Sequence, residues 1–152
     1  MEIKRVTTID DADICDQLLT ELIHYESGID KIINSKFVVN DFYHRAIESS
    51  QKYLALALEN GEALGFIYAY RKIAKGTSFD DHIIEIDGLF IKEGRRSQGI
   101  GSALIKSVEN WAKKTYQTAH IEITYINANK PAEKCYTKLG YTPIKTTLRK
   151  KI

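Results

Sequence analysis

The residues Arg95-Arg96-Ser97-Gln98-Gly99-Ile100-Gly101 join an apolar stretch to a run with helical periodicity, and their types suit phosphate binding. Two glycines let the backbone approach a ligand closely and turn its N–H groups outward. The helix that follows adds unpaired N–H groups and the positive end of its dipole. Arg95 and Arg96 supply fixed charge and forked donors. Together they read as a pyrophosphate cradle. Upstream, Glu85 and Asp87 sit among Ile83, Ile84 and Ile86 with the same strand parity, which would project both carboxylates to one face. Downstream, Asn129 two residues ahead of Pro131 suits a helix N-cap, and Cys135 and Tyr136 share the apolar stripe of the helix that follows. Cys135 reads as a buried thiol from that position.

Other phosphate motifs fit less well. Gly101 is followed by Ser102-Ala103, not by the Lys-Ser/Thr of a P-loop, and the three-glycine dinucleotide fingerprint is absent. The two cysteines are too few for a disulfide framework, and no Cys/His spacing suggests a metal site. The four histidines read as ordinary residues. No apolar run reaches membrane length and the N-terminus has no signal-peptide layout, so a cytoplasmic protein without a membrane partner is expected. The basic run Leu148-Arg149-Lys150-Lys151 is short and lacks interleaved aromatics, which argues against nucleic acid.

The elements that must position these groups follow from periodicity. The 152 residues suit one domain, residues 1–152. A first strand is expected over Glu2–Thr8, then a helix from Asp10 with Ile14, Leu18 and Leu22 as its stripe. Tyr25–Lys36 reads as turn and Asn40–Ser50 as a second helix. Tyr53–Leu58 and Ala63–Ile73 flank Asn60-Gly61 as a hairpin. Ala74–Asp81 reads as loop and His82–Lys92 as the strand entering the cradle. Ile100, Leu104, Val108 and Trp111 mark one face of the next helix, with Trp111 in the core. A strand over Ala119–Tyr125, a helix over Asn127–Leu139 capped by Gly140, and a strand over Tyr141–Ile152 complete a mixed α/β order. Residues 1–90 hold 9 Lys/Arg against 16 Asp/Glu, whereas residues 91–152 hold 13 against 4. The acidic half suits a cationic partner and the basic half an anionic one.

Arg96-Ser97-Gln98-Gly99-Ile100-Gly101 matches Arg/Gln-x-x-Gly-x-Gly/Ala and, with Leu89-Phe90-Ile91 before it, resembles the acetyl-CoA loop of the GNAT N-acetyltransferases. Asn129 to Tyr141 resembles the same family's Asn-x-x-Ala-x-x-x-Tyr-x-Lys-x-Gly-Phe/Tyr pattern at every position. The resemblance spans most of residues 83–141. It implies a mixed, mostly antiparallel sheet flanked by helices, a three-layer α/β/α sandwich. It also implies N-acetyl transfer from acetyl-CoA, as cosubstrate, to a primary amine, with no metal. Leu89, Phe90, Ile91, Arg95, Arg96, Ser97, Gln98, Gly99, Ile100, Gly101, Ser102, Asn129 and Tyr136 would then bind the cosubstrate. Glu85 falls where several members keep a general base, with Asp87 or a water relay as alternatives. Tyr136 falls at the phenol that protonates the leaving thiolate, and the Ile91 N–H at the oxyanion donor. The helical N-terminal region shapes the acceptor pocket in this family, which makes Tyr25, Glu26, Phe42 and Tyr43 candidates. The charge asymmetry favours a small cationic amine. A CoA-binding sensor or scaffold and a protein N-terminal or lysine acetyltransferase are the alternatives, and a homodimer stays open.

Overall fold

The computed structural model describes residues 1–73, 76, 82–117 and 119–152. Five strands form one sheet in the order of the chain: β1 (Glu2–Arg5), β2 (Lys52–Glu59), β3 (Glu62–Arg71), β4 (Ile83–Ile91) and β5 (His120–Ile123). The first four pair antiparallel, while β4 and β5 run parallel because helix α2 (Ile100–Tyr116) carries the chain between them. Helix α1 (Ile9–Ile29) follows β1 and helix α3 (Lys130–Lys138) follows β5. The result is the expected α/β class, a mixed sheet flanked by helices.

Two cores lie against the sheet. On one face Ile84 and Ile86 of β4 meet Leu104, Ile105 and Val108 of α2, with α3 contributing Tyr136. On the other, Leu54, Phe66 and Phe90 meet Ala12, Cys15 and Leu18 of α1 together with Tyr43. Trp111 packs in the first core, its ring 5.4 Å from Tyr53, as its helical spacing predicts. Local signals explain most boundaries. The Thr8 hydroxyl accepts from the Asp11 N–H and caps α1, with Asp10 and Asp11 at the positive end of its dipole. Asn60 (φ 52°) and Gly61 (φ 81°) are both left-handed, the condition of a tight hairpin turn between β2 and β3. Gly140 (φ 89°) closes α3: its N–H bonds Thr137 and the Tyr141 N–H bonds Tyr136, with the two tyrosine rings in contact.

Three expectations change. Helix α1 runs on through Tyr25 to Ile29, where a turn was expected. No second helix forms over Asn40–Ser50; that stretch is a series of turns. The buried Asp16 carboxylate takes the N–H groups of Phe42 and Tyr43, and Asp41 is left-handed at φ 55°, so side-chain bonding replaces the helical ladder. Residues 141–152 form no strand. Thr146 and Lys150 interrupt the face that Ile144, Leu148 and Ile152 would share, so no continuous apolar face exists, and all three are exposed. The segment is tied by ion pairs, Arg149 to Asp30 at 2.8 Å being the shortest. The expected Ala74–Asp81 loop lies, apart from Gly76, outside the described residues.

Candidate active site

The parallel pairing of β5 with β4 stops at Ile86 opposite Ile123, so β4 from Asp87 to Ile91 has one free edge. The other edge stays bonded to β3, with Lys92 donating to the Leu64 carbonyl. Alternation along an antiparallel pair then turns the N–H and C=O groups of Leu89 and Ile91 towards the opening. A bulge precedes them: the register passes from Tyr68 opposite Gly88 to Ala69 opposite Ile86, leaving Asp87 without a partner on β3. Such an insertion re-aims a side chain. Here it is Asp87 that lines the opening.

The opening is a cleft of about 680 Å³ walled by α1, the free part of β4, the 95–102 turn, the end of β5 and α3. Ser97 (φ 62°) and Gly99 (φ 80°) bend the chain from a 3-10 turn at Glu93–Arg95 into α2. Gly99 caps α2 without a side-chain bond, and the first helical hydrogen bond runs from Ala103 to Gly99. The N–H groups of Ile100, Gly101 and Ser102 therefore lack helical partners. A Cβ at Gly101 would meet only Ile91, at 4.0 Å, so the protein's own packing leaves room there for a ligand. These features fit a diphosphate.

The two arginines of the turn differ. Arg95 is paired with Glu59 on the β2–β3 hairpin. Arg96 donates its Nε–H to the Ile91 carbonyl at 3.1 Å and lies 4.4 Å from the Tyr25 ring of α1. Gln98 reaches the Gly94 carbonyl and does not line the cleft. Asn129 caps α3, its side chain accepting from the Ala132 N–H at 3.3 Å, and also lines the cleft. Lys130, Lys134 and Lys138 line the same side at intervals of four along α3. That periodicity was present in the sequence and, had it been read as one helical face, would have marked a basic wall.

The acidic groups of the cleft come from α1 and β4. Glu26 and Asp87 line the cleft, and neither side-chain carboxylate makes a hydrogen bond or ion pair among the described residues. Burial raises the Glu26 carboxyl. Asp87 is open to the cleft, yet surrounding protein strips enough solvation to raise its carboxyl, and the charge of Glu85 raises it further. Glu85 itself is buried and does not line the cleft. Its carboxylate pairs with Lys72 at 2.6 Å and accepts from Thr124 Oγ1 at 3.3 Å. Lys72 also holds Glu122 at 2.8 Å, and the two carboxylates raise its ammonium, Glu122 first.

Tyr136 is 9% exposed and borders the cleft between Tyr125 and Tyr141, ring centroids 5.6 and 6.4 Å away. Burial raises its phenol, helped by Cys135 and Glu26. Cys135 is part-buried beside it and borders the same cleft. Of the acceptor-side candidates, Tyr25 and Glu26 line the cleft; Tyr43 is core, and Phe42 is exposed away from it, edge-on to Tyr43 at 4.9 Å. Thr124, Tyr125 and Leu22 are cleft residues that sequence patterns left unmarked.

A family model described as the acetyltransferase (GNAT) family matches residues 17–141. The chain belongs to the GNAT acetyltransferase family. Solved GNAT-fold structures agree. A mutant of the BH1408 protein from Bacillus halodurans superposes with a TM-score of 0.85 at 18% identity, covering 100% of this chain and 99% of that one. An aminoglycoside acetyltransferase, HMB0005, from an uncultured soil metagenomic sample gives 0.72 at 22% identity over 99% and 97%. AAC(6')-Iy in complex with a CoA-linked bisubstrate analogue gives 0.68 at 16% over 99% and 97%. At these identities the likeness is one of fold. No curated protein matches the sequence. Among the described residues, no helix of this GNAT chain is long and apolar enough to cross a membrane.

Proposed function

We propose that this chain transfers an acetyl group from acetyl-CoA to a primary amine, with small cations favoured. The observation that carries the reading is the polarity of one cleft. The open N–H groups of Ile100, Gly101 and Ser102, with Arg96 and the α3 lysines, suit a pyrophosphate; the carboxylates of Glu26 and Asp87, on α1 and β4, suit an ammonium. The free edge of β4 between them offers amide groups at Leu89 and Ile91 to an extended, amide-bearing chain.

Of the two base candidates, Asp87 fits better than Glu85. Glu85 is held by Lys72 and Thr124 behind the cleft wall, whereas Asp87 is unpaired and faces the cleft. A raised carboxyl is also the better proton acceptor near neutral pH. In this reading Asp87 takes a proton from the ammonium, the freed nitrogen attacks the thioester carbon, and the C–S bond breaks. A main-chain N–H on the free edge steadies the carbonyl oxygen, Tyr136 gives its proton to the departing thiolate, and the second proton shed by the attacking nitrogen restores the Tyr136 phenol. Glu85 fixes Thr124 by accepting its hydroxyl proton, which leaves the hydroxyl's lone pairs for a ligand N–H.

The test is thiol release from acetyl-CoA across a panel of amines: cationic alkylamines and aminoglycosides against amino acids and aminophosphonates. Turnover ranked by positive charge supports the proposal. An anionic amine as the best acceptor, or no turnover while CoA still binds, would overturn it.

A further inference from the structure

We infer that Glu26 selects the acceptor by holding a second ammonium group, so that the preferred substrate is a diamine, gripped at one nitrogen and acetylated at the other. The inference rests on the acetyl-transfer reading above and narrows its substrate class. Most acidic side chains of this region already have protein partners. Asp11 pairs with Lys4, Asp13 with His44, and Asp30 with Arg149, while Asp16 accepts two backbone N–H groups. Glu26 stands apart. It lines the cleft from the last turns of α1, and its carboxylate has no hydrogen bond or ion pair among the described residues. Arg96, the cation on the adjoining wall, lies over the Tyr25 ring and makes no ion pair with Glu26.

Glu26 and Asp87 are also separate charges, not one shared anionic spot. The charge of Glu26 is felt at the Tyr136 phenol, whereas that of Asp87 is felt at Tyr43, Tyr68 and Tyr70. They reach the cleft from different elements, Glu26 from the last turns of α1 and Asp87 from the bulge of β4. Two partly desolvated carboxylates without protein counter-charges favour a cationic ligand. A single ammonium relieves one of them. Two ammonium groups joined by a short alkyl chain relieve both, and the apolar chain can lie along Leu22 and Tyr25.

The experiment compares 1,4-diaminobutane with n-pentylamine, which has similar length but one charge, by thiol release at saturating acetyl-CoA. Wild type should prefer the diamine at least roughly tenfold in kcat/KM, the scale of one charge-assisted hydrogen bond. Glu26→Gln should lower the diamine value about ten- to hundredfold, mainly through KM, while n-pentylamine changes less than about threefold. Glu26→Lys should depress the diamine further. Glu21→Gln, an exposed α1 change outside the cleft, should keep the wild-type ratio and control for the helix. Equal losses for both amines in Glu26→Gln would place Glu26 at the reacting nitrogen or in folding and overturn the inference. Equal use of both amines by wild type would overturn it too, leaving acetyl transfer intact. If wild type releases no thiol with either amine, acetyl transfer itself fails and takes this inference with it.

Discussion

Asp87→Asn tests the assignment of the base, because it keeps the size of the side chain at the bulge and removes the proton acceptor. The expected loss follows from the amine. An alkylammonium has a pKa near ~10, so about three units lower roughly one molecule in a thousand is already neutral. Without a base only that fraction attacks, and kcat/KM near neutral pH should fall roughly 10²–10⁴-fold. The variant should then regain about tenfold per pH unit until the amine titrates. Wild type carries a second signature, an acidic limb where Asp87 gains its proton. Because burial and Glu85 both raise that carboxyl, the limb should lie above the ordinary aspartate range. Glu85→Gln removes one of the two causes and should move the limb down. Its rate should fall less than about tenfold, while stability drops by about 1–3 kcal/mol because Lys72 loses one of its two carboxylates. The assay is thiol release between pH 5 and 10 for both variants, with urea unfolding alongside. Wild-type turnover and a flat alkaline slope in Asp87→Asn, together with a steep slope in Glu85→Gln, would refute the assignment.

The remaining predictions concern other parts of the chain. Gly99→Val places a β-branched residue at φ 80° and should cost about 1–2 kcal/mol in backbone strain; differential scanning fluorimetry should show the CoA-dependent rise in Tm lost while the fold persists. Tyr136→Phe keeps the packing and removes the acid, so kcat should fall roughly 10²–10⁴-fold with the KM for acetyl-CoA little changed in steady-state kinetics. The His44 imidazole is raised above its ordinary value, first by its bond to Asp13. Its contribution to stability is therefore fully present below about pH 6.5 and fades as pH rises through the raised value. Urea midpoints of wild type and His44→Gln should converge on the alkaline side and separate on the acidic side.

What could be read from the sequence was local, and what could not was set by register. The strand–turn–helix from Ile83 to Ala112 carries its own signals: an apolar run, two glycines and a four-residue apolar spacing. The Asn60-Gly61 turn and the Gly140 cap are fixed by residues that tolerate left-handed backbone. By contrast, the helix expected over Asn40–Ser50 is prevented by Asp16, some 26 residues away from the Phe42 amide it accepts. Glu85 and Asp87 have the parity of one face, and the charge of Glu85 does reach Asp87. Yet Lys72, brought to Glu85 by the pairing of β3 with β4, seals one carboxylate while the bulge exposes the other. No spacing along a single strand encodes that division. Likewise the charge counts of the two halves of the chain could not show that Arg95 is paired with Glu59 or that three α3 lysines line the cleft.

The half-unzipped edge of β4 has a consequence for hydrogen exchange. Between Gly88 and Ile91, alternate amides point into the sheet and into the cleft. The Gly88 and Phe90 protons, bonded to β3, should exchange with deuterium slowly and only through opening of the sheet. Those of Leu89 and Ile91 face the opening and should exchange orders of magnitude faster in the free protein. An extended ligand docked along that edge would slow the second pair while leaving the first nearly as it was. Two interleaved pairs of residues would thus report separately on folding and on occupancy, from a strand only 9 residues long.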